Sequence, residues 1–320
     1  MRYQAYGLSF DCDRPIPELA GSADRNSVGS PDLRTRLTSR FATVLRPVKI
    51  VSVRTFGDGR PWLKCGRLRD GYLLRFLRIA DFRVSHDSRE IVCVRRSAKT
   101  SLNTIRHLLL DQVFPLVLNL RGREAIHATA VIARAGAIAF LGPAGAGKST
   151  LAASFMLAGF RALGDDCLAI EAGRRILAVP AYPGFRLWED SAAALKADLG
   201  ASTPVADYSV KARMLAGECG ANFPQRPVAL RRIYRLIRGR AGRKKIRVAA
   251  VEPVAPRDAL IELVSASFPL DIADQAMLER HFRVMQRVAR EVPMRRVLIP
   301  DDFGALPAVR AAILADLAAG

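Results

Sequence analysis

The run Gly142, Pro143, Ala144, Gly145, Ala146, Gly147, Lys148 and Ser149 completes the pattern G-x-x-x-x-G-K-[ST] without a mismatch. Each residue type there has a task. Glycines let backbone amides turn inward around a β-phosphate, and a helix opening at Lys148 presents its positive end to the same anion. Lys148 places a charge against the β and γ phosphates, the Ser149 hydroxyl completes the shell of a Mg²⁺ ion, and Thr150 follows as the next residue of the nucleotide site. A glycine turn that binds nothing is the bland alternative, and it fits poorly with an apolar strand directly before and a helix directly after. Binding of ATP with Mg²⁺ is the expectation.

Loops of this kind serve transporters, switches, motors and small-molecule kinases alike. The sequence lacks the transporter signature L-S-G-G-Q, the guanine specifier N-K-x-D, and a distant run of four apolar residues closing on Asp. It does carry Gly164-Asp165-Asp166, with Asp165 seventeen residues after Lys148. A helix of roughly ten residues and a return strand bring such a pair back beside the loop. Two adjacent carboxylates near phosphates repel unless each has a use: one holds Mg²⁺ while the other accepts a proton from an attacking hydroxyl. The bland reading is a solvated acidic turn, against which Leu163 before and Cys167 to Ile170 after the pair speak. Transfer to a hydroxyl fits the pair better than hydrolysis.

Three further features leave two readings each. His127, in AIHATAVIA, is either a satisfied core histidine or a second basic group near the γ-phosphate. Arg186, in PGFRLWED, either reaches the nucleotide or acceptor or belongs to a surface turn with a buried Trp188. Residues 231–247, RRIYRLIRGRAGRKKIR, hold nine basic residues and no acid. They read as a solvated face or mobile loop, or as a patch that attracts an acidic peptide or a nucleic acid.

The elements that must position these residues follow from hydrophobic rhythm. RYQAYGLSF, VKIVSVRTF, YLLRFLRI and IVCVRRS are short β-rich runs separated by Gly, Pro and Asp, while residues 15–40 read as a loop-rich excursion. This predicts a small, mainly antiparallel β domain over residues 1–98. Ile105, Leu108, Leu109, Val113 and Leu116 recur at helical spacing in a connecting helix over 99–120, with Thr100 or Ser101 placed to cap and Pro115 to kink or break it. From 121 to 320 the rhythm becomes that of an α/β domain: AIHATAVIAR and AGAIAFL as strands, KSTLAASFMLAG as a helix, RALGDDCLAI as a strand. Met277, His281, Val284, Met285 and Val288 then form one stripe of a core-facing helix, followed by a strand at MRRVLIP and a closing helix.

Composition narrows the setting. Half of the 320 residues are apolar, enough for a real core. No apolar run approaches the roughly 20 residues of a membrane span, and the N-terminus lacks signal-peptide features, so a cytoplasmic protein is expected. Five scattered cysteines without metal-ligand spacing point to reduced thiols. The net charge of +20 comes from 42 Arg and 8 Lys, a skew that codon composition alone produces, so nucleic acid is not an expected partner.

"IHATAVIARAGAIAFLGPAGAGKSTLAASFMLAGFRALGDDCLAIE" resembles the catalytic domain of the HPr kinase/phosphorylase family, which has a His strand, a phosphate loop and a paired-Asp strand in that order. "YQAYGLSFDCDRPIPEL", "AYPGFRLWEDSAAAL" and "LIPDDFGALPAVRAAILADL" look more like the HPr-kinase-like proteins found with lasso-peptide biosynthesis genes. The resemblance implies an α/β P-loop kinase domain of the HPr kinase type and transfer of the ATP γ-phosphate to a serine of a small protein or peptide, such as a lasso precursor. It assigns nucleotide and Mg²⁺ to Gly142 through Ser149, metal binding and the general base to Asp165 and Asp166, and the phosphate site to His127. Relatives are often hexamers, which leaves a homo-oligomer open. A segment like I-E-I-R-G-L-G is absent, so neither phosphorolysis nor HPr as acceptor is implied. A small-molecule kinase and a nucleotide-binding regulator without transferase activity remain the rival readings.

Overall fold

A computed structural model describes residues 1–22, 29–38, 45–56, 58–195, 206, 212–214, 223–241 and 244–319. Cys219 and, within the basic run, Gly242 and Arg243 lie outside them. The chain forms two compact units, one of Met1–Ala125 with Val205–Ser209 and Phe268–His281, the other of Ile126–Pro204, Val210–Ser267 and Phe282–Gly320.

In the first unit, β1 (Arg2–Ala5) and β2 (Leu8–Cys12) make a hairpin whose two turn residues, Tyr6 and Gly7, have φ of 56° and 67°. That is the handedness a two-residue hairpin turn requires. The strands β3 (Leu33–Thr38), β4 (Lys49–Thr55), β5 (Pro61–Leu68), β6 (Gly71–Phe76), β7 (Ala80–Ser85) and β8 (Glu90–Arg95) complete a sheet of order β1-β2-β3-β8-β7-β6-β5-β4. Pairing is antiparallel except at β3, which runs parallel to both β2 and β8. The loop expected over residues 15–40 thus contains a strand. Leu33, Thr35 and Leu37 are buried on one face and alternate with Arg34 and Arg36, and the arginines hid that period of two.

At Pro115, where a kink or break is expected, the helix is irregular but unbroken. α1 (Leu102–Leu108), capped by Ser101 on the Thr104 amide, passes through a π turn at Leu109–Val113 into α2 (Phe114–Leu120). Proline has no N–H to donate back along a helix, and the wider turn just before it relieves that mismatch without a break. Phe114 packs its ring 4.8 Å from that of Phe10 and fixes α2 on the sheet. The chain leaves this unit through the short strand β9 (Glu124–Ile126).

The second unit is a mixed α/β layer structure built around a sheet. β10 (Thr129–Ala133) and β11 (Gly136–Leu141) form a hairpin, and α3 (Lys148–Leu157) returns the chain to β12 (Arg161–Gly164) beside β10. β13 (Leu168–Ala172) and β14 (Ile176–Val179) pair with each other, and β15 (Phe185–Leu187) leads into α4 (Glu189–Leu195) and pairs with β16 (Ala212–Met214). The long β17 (Val228–Arg238) runs parallel to β11, and a small hairpin of β18 (Arg240–Ala241) and β19 (Lys244–Lys245) follows it. β20 (Ala250–Pro253), α5 (Pro256–Ser265), α6 (Gln275–Glu291), β21 (Met294–Ile299) and α7 (Leu306–Ala318) close the chain, with β21 parallel to β17. Two hydrophobic cores flank the sheet. One joins Ile138, Phe140, Tyr234 and Val297 to Leu151 and Phe155 of α3 and Val309 and Ile313 of α7; the other joins Ala139, Leu141 and Ile233 to Leu263 of α5 and Met285 and Val288 of α6. Each such fully buried Leu, Ile or Phe contributes about 1.5–3 kcal/mol.

Three expectations change here. AIHATAVIAR is two strands with His127 and Ala128 between them. RALGDDCLAI is not one strand either: β12 ends at Gly164, Asp166 takes a φ of 58°, and β13 begins at Leu168 in a different part of the sheet. The basic run is a solvated face only in part over its first half, where Arg231 and Arg238 are exposed. It supplies β17, with Arg232 only 3% exposed and paired with Asp316, Arg235 paired with Glu262 and Arg238 with Asp301. In the α6 stripe Met277, His281, Met285 and Val288 are buried as expected.

Candidate functional site

The loop after β11 is shaped by backbone that only glycine adopts easily. Gly147, the N-cap of α3, has a φ of 92°, and a side chain built on it would meet nothing within 4 Å, so the backbone alone demands glycine and the concave side stays open. At Gly142 a Cβ would come within 2.8 Å of that of Ala146, which sets the tightness of the turn. The Ala146 amide donates across the loop to the Pro143 carbonyl at 3.2 Å. Lys148 is 6% exposed, and its Nζ donates to the carbonyls of Gly142 at 2.8 Å and Pro143 at 3.3 Å. The first turn of α3 thus holds an ammonium group over a ring of backbone, facing the end of the helix that favours anions.

Asp165 and Asp166 arrive from the neighbouring strand. Because β12 runs antiparallel to β10, the residue after Gly164 lies beside the start of β10, and Thr129 Oγ1 donates to Asp165 Oδ1 at 2.6 Å. The same oxygen accepts from Ser149 Oγ at 2.9 Å, and Oδ2 accepts from the Arg186 amide at 2.9 Å. Asp165 is 1% exposed. Burial, with the neighbouring Asp166 adding to it, pushes its carboxyl above the usual range, against Arg186 and the hydrogen bonds that pull it down. Asp166 differs: its side chain is 21% exposed, lines the cleft, and pairs with Arg186 Nη2 at 2.7 Å.

His127 Nδ1 donates to the Asp166 carbonyl at 2.8 Å, which fixes the tautomer and leaves Nε2 as the acceptor. Burial lowers its pKa, with Asp166 working against that. The ring lines the cleft. Arg186 is 4% exposed in β15, and Trp188 is 46% exposed, which reverses the surface turn with a buried indole. Alternation explains it: Phe185 and Leu187 point into the core, so Arg186 faces the carboxylates and Trp188 the cleft.

A cleft of about 630 Å³ collects these groups. His127, Ala144, Gly145, Gly147, Lys148, Ser149, Thr150, Asp166 and Arg186 line it, with Trp188, Glu189, Asp190, Ser191 and Arg238. Gly142 and Ala146 shape the loop behind it and Asp165 sits under it. Sequence reasoning missed Thr129, Ser191 and Arg238. Thr129, two residues after His127, was the findable one; Ser191, whose Oγ lies 3.2 Å from Thr150 Oγ1, gave no signal. Arg238 was hidden in the basic run.

The donor set suits a hard cation. Ser149 Oγ and the carboxylate of Asp165 meet at 2.9 Å, Asp166 is adjacent, and all are oxygen donors of the kind Mg²⁺ takes in small number beside phosphate oxygens. Among the described residues no cluster of three or more His, Cys, Asp or Glu forms an all-protein metal cage. Also among them, no helix is long and apolar enough to cross a membrane, and Cys12, Cys65, Cys93 and Cys167 are buried thiols.

The chain matches no protein-family model and no curated protein. Among solved structures it is similar to the HPr(Ser) kinase/phosphatase from Coxiella burnetii, at 9% sequence identity over 61% of this chain and 93% of that one, with a TM-score of 0.32. That is a distant structural likeness, and the chemistry has to be argued from the cleft itself.

Proposed function

We propose that the protein is a kinase that transfers the γ-phosphate of ATP, with Mg²⁺, to a serine hydroxyl of a small protein or peptide, for which the resemblance to lasso-cluster proteins suggests a precursor peptide. One observation carries the reading: the loop after β11, two carboxylates in unlike settings, a buried arginine and a histidine come together at a single cleft. Lys148 and the loop amides bind the β and γ phosphates. Ser149 and Asp165 would hold Mg²⁺, which when bound neutralises charge on the phosphate oxygens. Asp165 is oriented for this by Thr129 and the Arg186 amide. Asp166, which faces the cleft, accepts the proton of the attacking serine hydroxyl. Arg186 keeps that carboxylate aimed, and His127 holds the strained backbone of Asp166 through its carbonyl.

Lys148→Ala tests the reading. The amide cradle remains and the charge is lost, so ATP binding weakens and transfer falls to background. Isothermal titration with ATP alongside a transfer assay checks both, and unchanged turnover would sink the kinase.

A further inference from the structure

We infer that Trp188 is the platform on which the base of the nucleotide stacks, so that the donor is recognised as a nucleoside triphosphate rather than as a bare polyphosphate. The inference rests on the phosphate-loop reading and adds a partner for the other half of the donor.

Trp188 is a large apolar side chain left 46% exposed in a cleft whose other walls are mostly polar and charged. Its backbone is tied to α4 and, through α4, to α3. The Trp188 carbonyl accepts from the Ala192 amide at 2.9 Å to open α4, and Ser191 in that first turn meets Thr150 of α3 at 3.2 Å, with both hydroxyl residues buried. The indole is therefore carried beside the first turn of the phosphate-binding helix, and backbone motion of the lip would have to break that tie.

The cleft also has two distinguishable ends. Ser149 turns toward Asp165, at the carboxylates and Arg186, where the phosphoryl group would be transferred. Thr150, one position further round α3, turns toward Ser191 and the lip that bears Trp188. A triphosphate chain with its terminal phosphate at the carboxylates runs over the helix start, and what is attached to it emerges toward the lip. About 630 Å³ falls within the usual span for clefts that bury small organic ligands, so there is room for a nucleoside beyond the phosphates. A planar base offers an exposed indole the stacking partner it suits best, and every base has the required π face.

The experiment uses the full chain carrying Trp62→Phe, which leaves Trp188 as the one tryptophan of the two in the sequence. Mg-ATP and Mg-tripolyphosphate are titrated while indole emission is followed, and affinities are measured separately by calorimetry. ATP should change the emission and tripolyphosphate should not. Trp188→Ala should weaken ATP binding about tenfold or more, the usual weight of one stacked base, and leave tripolyphosphate affinity and melting temperature unchanged; Trp188→Phe should restore most of the loss. ATP bound as tightly by Trp188→Ala as by the parent overturns the inference while the phosphate-loop reading stands. So does an equal loss for both ligands, or a loss confined to the KM of the acceptor. Failure of the parent protein to bind either ligand overturns the phosphate-loop reading itself.

Discussion

Asp166 takes a φ of 58°, a conformation that costs a non-glycine residue about 1–3 kcal/mol and persists only where surroundings enforce it. His127 on its carbonyl and Arg186 on its carboxylate are those surroundings. The twist separates two sequence neighbours into unlike environments, one buried under three hydrogen-bond donors and one facing the cleft. They should therefore fail differently. On the proposed roles, Asp165→Asn should weaken metal binding, and transfer should return in part as Mg²⁺ is raised. If Asp166 is the base, as proposed, Asp166→Asn should lower transfer by roughly a hundredfold to ten-thousandfold with ATP binding intact and no rescue by metal. Mg²⁺ titration of both variants reads the division directly; identical metal dependence would refute it.

At the scale of elements, the cost of placing an arginine-rich strand in the middle of a sheet is met by partners at its far end. Arg232, buried in β17, donates to Asp316 of α7 at 2.5 Å, and Tyr234 Oη and Arg295 Nε reach the same carboxylate at 2.9 and 3.0 Å. Burial works to raise the Asp316 pKa, and the hydrogen bonds from Arg232, Arg295 and Tyr234 together hold it below the usual carboxylate range. A depressed acid stabilises the fold above its unfolded pKa and loses that contribution as pH falls through the folded value. Asp316→Ala should cost about 3 kcal/mol at neutral pH, the low end for a broken buried ion pair, since Asp316 keeps some solvent contact. The gap from wild type should narrow once pH drops below the ordinary carboxylate value. Urea unfolding across pH checks this, and a gap that stays constant into acid would show that the loss is packing and not charge.

For the whole molecule, the loop after β11 was legible because Gly142, Gly145 and Gly147 take positive φ that other residues adopt only with strain, and the apolar run of β11 and the helix after it announced their elements. Asp165 and Asp166 were legible by distance along the chain, but their unlike settings were not, because they depend on the turn between β12 and β13 and on Arg186 arriving from β15. Trp188 misled: a large apolar residue reads as core, and only the alternation along Phe185, Arg186 and Leu187 shows otherwise. The basic run misled in the opposite sense, since paired charges in β17 look the same in sequence as solvated ones. Three of the run's nine basic residues are thus paired, with Asp316, Glu262 and Asp301. The central claim is transfer, and one measurement meets it: the protein, Mg²⁺ and γ-labelled ATP are incubated with serine-bearing peptides, including one encoded beside its gene, and the label is located by mass spectrometry. The account predicts one phosphoryl group on a serine hydroxyl, formed by wild type and absent with Lys148→Ala and Asp166→Asn. ATP turned over to free phosphate with every peptide unmodified, or a peptide labelled equally by the Lys148→Ala protein, would contradict it.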